Sequence, residues 1–235
     1  MTQVDILSET QEQRDAELSA YSGRTVQELS MLVIGDPAGH RVHEGPAAPQ
    51  ESYNHLYEDC ALLDPTHYLR TLAARAVLYR GRFLRQLLKH VGSVENKRVV
   101  DYGCGTGTHG ICCAQRGARV TFYDVDGPLS RYARYRAEAR GLDIEFRLVG
   151  SPLGRYDLAI CLDVLEHVAK PEVVLKQITR SLPPGGILCL HVGLGVNPDV
   201  GHFASSIKRW RNRGRTYLHA HYRRIGNSNL FRRVS

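Results

Sequence analysis

The stretch "VVDYGCGTGTHG", residues 99–110, sets four glycines within eight residues directly behind a short apolar run. Backbone without Cβ atoms turns tightly and lets a ligand approach closely, and a helix opening after it offers unpaired amide groups. A nucleotide-like ligand is the first expectation. Gly105-x-Gly107-x-x-Gly110 satisfies the dinucleotide pattern, a weak signal when it stands alone. Asp101 argues against a pyrophosphate. It lies two residues ahead of Gly103, where a carboxylate facing the ligand repels phosphate and suits a cation or an amine. Asp124 closes the next apolar run, 19 residues after Gly105, where a carboxylate takes both ribose hydroxyls.

Outward from the loop the chain alternates between strand and helix patterns. "KRVVDYG", "ARVTFYDVD", "IEFRLVG", "YDLAICLD" and "ILCLHVG" read as five strands. "GICCAQRG", "PLSRYARYRAEARGL" and "VLEHVAKPEVVLKQITRSL" read as the helices between them, with Pro171 restarting the last. This alternation predicts a parallel sheet covered on both faces. The tail departs from it: "ASSIKRWRNRG" reads as a helix, then "TYLHAHYRRI" and "NLFRRVS" as two strands joined by "GNSN", a hairpin signal. Upstream, residues 1–30 read as a helical lead-in and Gly35–Gln50 as a Gly/Pro-rich loop. A helix follows Asp64-Pro65 and runs to about Val91. The expected division is a cap over 1–64 and one domain over 65–235.

The chain has 235 residues, 43% of them apolar, enough for one sizeable α/β domain. No apolar run approaches the roughly 20 residues of a membrane helix. The acidic start "MTQVDILSETQEQRDAE" has no signal-peptide core. None of the six cysteines forms a CxxC pair, which points to buried thiols in a reducing, cytoplasmic setting. Net charge is +7 and unevenly spread. Residues 1–64 hold 12 acids against 3 Lys/Arg, whereas residues 200–235 hold 9 Lys/Arg and no acid. Acidic head and basic tail suit each other, or the tail suits a phosphate-bearing partner; plain solvated charge is the simpler reading.

"VVDYGCGTG", "VTFYDVD", "YDLAICLDVLEHV" and "LPPGGILCL" stand in the order seen in class I S-adenosylmethionine (SAM)-dependent methyltransferases. Over about residues 65–195 the chain resembles their small-molecule, ubiquinone-biosynthesis-type branch, and the tail hairpin suits the family's sixth and seventh strands. The resemblance implies a Rossmann-like α/β fold: a seven-stranded, mostly parallel sheet with an antiparallel last strand and an N-terminal helical cap. It implies SAM as cofactor. The backbone of Gly103, Cys104, Gly105, Thr106 and Gly107 would then lie along its methionine part. Asp101 would reach its amino group directly or through water, Asp124 would hold the ribose, and Val125 would pack beside adenine. Leu162 and Asp163 would close over the methionine end. One departure is visible: where relatives place an acid on adenine, this chain has "RLVGSPLG", so Ser151 or backbone groups would substitute. Arg82 stands where some relatives bind the SAM carboxylate, or is an ordinary solvated helix arginine.

Methyl transfer is an in-line displacement in which the protein positions the acceptor and, where needed, removes its proton. Asp163, Glu166 and His167, at i, i+3 and i+4, would share one helix face, with His167 as a general base. His191, ending the fifth strand, is the second candidate base. No histidine set shows strong metal-ligand spacing, including the alternating His219 and His221 and the loop pair His40 and His43, so no metal site is expected. Tyr53, His55, Tyr57, His67 and Tyr68 make a candidate substrate lid. The expected function is methyl transfer from SAM to an O, N or C acceptor on a small molecule, in secondary metabolism for example. The alternative is an RNA or protein methyltransferase using the Arg- and aromatic-rich "SIKRWRNRGRTYLHAHYRR". Nucleic acid is not the favoured partner, no membrane partner is expected, and a homodimer is compatible with the sequence. A non-catalytic SAM-binding protein fits less well because every loop element is intact. A nicotinamide oxidoreductase fails on Asp101 and the tail hairpin.

Overall fold

The computed structural model describes residues 5–31, Leu69, 81–195 and 202–234. Its centre is a seven-stranded sheet in the order β3-β2-β1-β4-β5-β7-β6. The strands are β1 (Arg98–Tyr102), β2 (Arg119–Asp124), β3 (Glu145–Leu148), β4 (Leu158–Leu162), β5 (Ile187–His191), β6 (Tyr222–Arg224) and β7 (Leu230–Arg233). The first five pair in parallel, and β7 runs antiparallel to both β5 and β6. The helices are α1 (Gln11–Ser22), α2 (Val26–Met31), α3 (Gly81–Val91), α4 (Thr108–Ala114), α5 (Pro128–Ala139), α6 (Pro171–Ser181), α7 (Ala204–Arg209) and α8 (Arg215–His221).

The central strands are apolar without alternation because both faces are covered. Val99, Phe122 and Ile160 pack on one side of the sheet against Ile111 of α4 and Phe83 of α3. Their neighbours Val100, Tyr123 and Cys161 pack on the other against Leu175 and Ile178 of α6 and Trp210. The order of connection reverses between β1 and β4. In sheets of this kind that reversal opens a crevice at the carboxyl ends of the strands.

Three expectations change. The stretch "TYLHAH" is not strand: α8 continues to His221 and only Tyr222–Arg224 pairs in the sheet. Its alternation of polar and apolar residues is overridden by a helical stripe, in which Trp210, Gly214 and Leu218 are buried four residues apart. His219 and His221 are therefore helix residues, not neighbours on a strand face. Second, "VLEHVAK" is no α-helix. Leu165–His167 form one 3₁₀ turn, and α6 starts afresh at Pro171. Third, the described part of the acidic head is not plain solvated charge: Glu9 and Glu17 pair with Arg136 and Arg140, and Asp5 with Arg116. The five described cysteines are buried and unbridged, as expected. The lid cluster, His40, His43, Cys60, the Asp64-Pro65 start and most of residues 66–80 lie outside the described residues.

Candidate active site

The glycine loop joins β1 to α4 at the crevice. Gly103, Gly105 and Gly107 all take left-handed backbone, with φ of 69°, 54° and 74°. Two of them are also closely packed. A Cβ on Gly103 would lie 2.4 Å from Val164 Cγ2, and one on Gly107 would lie 2.8 Å from Phe122 Cζ. At Gly105 a Cβ would meet nothing within 4 Å, so this residue is the open face of the loop. The loop is tied from below: the Gly107 amide donates to the Cys104 carbonyl at 2.9 Å and the Gly103 amide to the Tyr123 carbonyl at 2.8 Å.

The two acids play different parts. Asp101 is buried, and its Oδ2 accepts the Gly110 amide of α4 at 2.8 Å. It therefore fastens the back of the loop to its helix, and it is not among the residues lining the adjacent cavity. Burial pushes its carboxyl up to about 8; the Gly110 bond opposes this and the Asp124 charge adds to it. Asp124 stands at the cavity rim. Its two oxygens accept the amides of Gly105 and Val125, each at 2.8 Å. Burial raises its carboxyl against those two bonds. A carboxylate oxygen accepts more than one bond, so Asp124 keeps capacity for a ligand's hydroxyls. The cavity measures about 260 Å³ and is lined by Gly103, Asp124, Val125, Val149, Gly150 and Val164 among others.

Other expected residues sit around this space. Cys104 is buried in the loop, its thiol pushed well up by burial. Thr106 places its hydroxyl 3.4 Å from that of Thr108. Leu162 is buried at the end of β4. Ser151 does not line the cavity; its carbonyl accepts the Tyr123 hydroxyl at 2.9 Å. That same hydroxyl accepts from the Gly150 amide and from Gln177 Nε2, both at 3.1 Å. Tyr123 and Gln177 thus shape the turn after β3, a role that only the folding of β2 against α6 creates. Arg82 is exposed, its guanidinium 4.8 Å from the centre of the Phe83 ring.

At the ends of β4 and β5 the chain builds a second group. Asp163 has a φ of 55°, rare for a residue with a side chain. Its amide donates to the His191 carbonyl at 3.1 Å, and its carboxylate pairs with His191 Nδ1. The His191 ring lies 5.0 Å from the Phe83 ring of α3. Glu166 is fully buried; its Oε1 accepts the Gly193 amide at 2.7 Å, while Oε2 has no hydrogen-bond partner. Burial and then the Asp163 charge push its carboxyl up to about 7, against two backbone bonds and His191. His167 lines the cavity and meets the His202 ring edge-on at 4.9 Å.

The expected single face of Asp163, Glu166 and His167 does not form. A 3₁₀ turn after a left-handed residue sends Asp163 to β5, Glu166 to Gly193 and His167 to the cavity and His202. What forms instead is a donor cluster in which ligand atoms of Glu166, His167 and His202 lie within 4.8 Å of one another. One carboxylate and two imidazoles are a donor set suited to a divalent cation such as zinc, and the buried, unpartnered Glu166 oxygen agrees with that. Local ligand spacing, on which no metal site was expected, does not register this cluster. His202 is remote in sequence and belongs to no local ligand pattern.

A parallel sheet with an antiparallel strand inserted next to its edge, a glycine loop after β1 and an acid ending β2 define the fold of the class I SAM-dependent methyltransferases. The chain belongs to the methyltransferase-domain family, whose model matches residues 66–234. SAM is the methyl donor of that class. The loop's open face at Gly105 and the carboxylate at the rim fit it. A ubiquinone biosynthesis O-methyltransferase of Idiomarina loihiensis is 30% identical over 155 residues, which cover 61% of each chain. One of Stutzerimonas stutzeri is 37% identical over 119 residues, 48% of this chain and 50% of the relative. The chain thus spans about half the length of the curated relatives it matches. A protein of solved structure from Pyrococcus horikoshii OT3 is 19% identical, with a TM-score of 0.48 over 66% of this chain and 91% of that one. No helix among the described residues is long and apolar enough to cross a membrane.

Proposed function

We propose that this chain transfers a methyl group from SAM to a hydroxyl oxygen on a small molecule, with His191 as the general base. The observation that carries this reading is the Asp163–His191 pair at the carboxyl ends of β4 and β5. An aspartate on Nδ1 orients the ring, fixes the proton on that nitrogen and leaves Nε2 as the acceptor. Bound SAM supplies an electrophilic methyl carbon on a sulfonium. The backbone of Gly103–Gly107 would lie along its methionine part, Asp124 would take the ribose hydroxyls, Val125 would pack beside adenine, and Leu162 would back the methionine end. The role left to Asp101 is indirect, through the Gly110 amide that it holds. Phe83 packs beside the His191 ring. As the acceptor oxygen bonded to the methyl carbon, the carbon–sulfur bond would break and S-adenosylhomocysteine would leave, while the acceptor's proton would pass to His191 Nε2 with Asp163 holding Nδ1.

His167 takes a different place. It lines the cavity that Asp124 and Val125 also line, and it faces His202. Its role in this reading is to hold the cofactor side of the crevice or a cation with Glu166, not to remove the acceptor's proton. The curated relatives are named for O-methylation in ubiquinone biosynthesis, which supports an oxygen acceptor. Nothing in their names favours the RNA or protein alternative. The test uses methyl-labelled SAM with panels of phenols, amines and acidic carbon compounds, on the parent and on His191→Ala. Label on a phenol oxygen, lost in His191→Ala while S-adenosylhomocysteine still binds, supports the reading. Label only on nitrogen or carbon, or full turnover by His191→Ala, overturns it.

A further inference from the structure

Arg136 of α5 is fully buried, yet it reaches the cofactor loop from behind. Its Nη1 donates to the Thr106 carbonyl at 2.8 Å and to the Thr108 hydroxyl at 2.9 Å. Its Nε donates to Glu17 at 2.8 Å, and its Nη2 faces Glu9 at 3.4 Å. Both acids come from the N-terminal segment, one just ahead of α1 and one within it. Arg140, one turn on at the C-cap of α5, pairs with the same two carboxylates, so two guanidiniums and two acids interlock. Burial alone would push Glu17 up, but Arg136 and Arg140 hold it below the ordinary carboxylate range.

A buried guanidinium is tolerated only when its charge is opposed and its donors are met. Glu9 and Glu17 oppose the charge of Arg136, and this leaves Nη1 aimed at the loop. The carbonyl it holds belongs to the peptide between Thr106 and Gly107, whose amide in turn donates to Cys104. Gly107, with its φ of 74°, gives that peptide freedom to rotate, and the guanidinium removes it. A rotated peptide would turn its carbonyl oxygen and lose the loop's arrangement toward the cofactor. We infer that Arg136 is a positioning residue for the cofactor loop, set in place by Glu9 and Glu17, so that the N-terminal segment serves cofactor binding as well as covering the domain. The inference rests on reading Gly103–Gly107 as the SAM seat. It differs from a stabilising role because the forward bonds of Arg136 end on that loop.

The test measures S-adenosylhomocysteine affinity by calorimetry, thermal melting, and separate KM values for SAM and acceptor, on the full chain. Thr108→Val removes one loop acceptor of Arg136 without exposing a charge. Thr108→Ser restores a hydroxyl there. The double variant Glu9→Gln/Glu17→Gln removes the opposing charges, and Asp124→Ala probes the seat itself. Thr108→Val is expected to weaken cofactor binding by at least about fivefold, with acceptor KM unchanged and Thr108→Ser close to the parent. The Glu9/Glu17 double variant should do the same or worse. Parent-like affinity in folded Thr108→Val, with Asp124→Ala weakened, overturns the inference while the seat reading stands. Parent-like affinity in Asp124→Ala overturns the seat reading and the inference with it. If the double variant does not fold, Thr108→Val decides by itself.

Discussion

Asp124→Ala is the sharpest perturbation of the cofactor seat. The carboxylate is buried at the end of β2 and holds the Gly105 and Val125 amides at 2.8 Å each. Removing it frees two donors at the cavity rim, where water can reach them, and also removes a charge that burial disfavours. These effects on stability oppose each other, so the fold should survive with a shift of about 1 kcal/mol in either direction. Affinity has no such offset. Two hydrogen bonds from ribose hydroxyls to a carboxylate are worth about 1.5–3 kcal/mol each, and a tenfold change in affinity is about 1.4 kcal/mol. Crediting only the lower value for both predicts a loss of roughly 100-fold in S-adenosylhomocysteine affinity. Calorimetry reads this directly, and a parallel melting curve shows whether the variant is folded. A folded Asp124→Ala whose dissociation constant stays within about threefold of the parent refutes the ribose role.

Asp101→Asn tests a buried acid. The carboxyl of Asp101 rises from 3.8 to about 8 in the fold, so its neutral form is the stable one there; its contribution is complete below about pH 4 and is lost as pH rises through 8. The asparagine variant, which keeps an oxygen for Gly110, should therefore melt higher than the parent at pH 8–9 and match it more closely near pH 5; equal melting curves at all pH values would remove the buried-acid argument. Gly110→Ala puts a Cβ 2.5 Å from Phe122 Cε1, so α4 must move off β2 at a cost of about 1–3 kcal/mol, visible as a lower urea midpoint. Zinc titration should raise the melting temperature of the parent and not of Glu166→Gln; an equal shift in both would exclude the Glu166–His167–His202 cluster as the binding site. His167→Ala should lower SAM affinity more than turnover, the reverse of His191→Ala, and steady-state kinetics on both variants separate these roles.

The parallel half of this molecule was legible because its signals are local. An apolar run that ends in glycines, followed by an amphipathic segment, reads the same in the sequence and in the fold from Val99 to Leu162 and again from Pro171 to His191. Asp124 was legible for a similar reason: its place is fixed by the length of one β–α–β unit. Two kinds of feature were not. The stretch from Thr216 to His221 carries a period compatible with strand and helix, and only the second core, which takes up Trp210 and Leu218, chooses helix. The turn Leu165–His167 looks like a helix start because its residue types suit one, while the left-handed Asp163 just before it could not be read from the letters.

The sequence by itself determined the class of fold and the places of the glycine loop after β1 and the carboxylate ending β2, since these depend on spacing within one or two consecutive elements. Tertiary structure alone decided which side chains meet across elements. Asp163 with His191, Glu166 and His167 with His202, and Arg136 with Glu9 and Glu17 each join segments that lie 28 or more residues apart, except for the adjacent pair Glu166 and His167. Such pairings follow from sheet order and from how α1, α5 and the tail lie on the sheet, and no local pattern of residues encodes them.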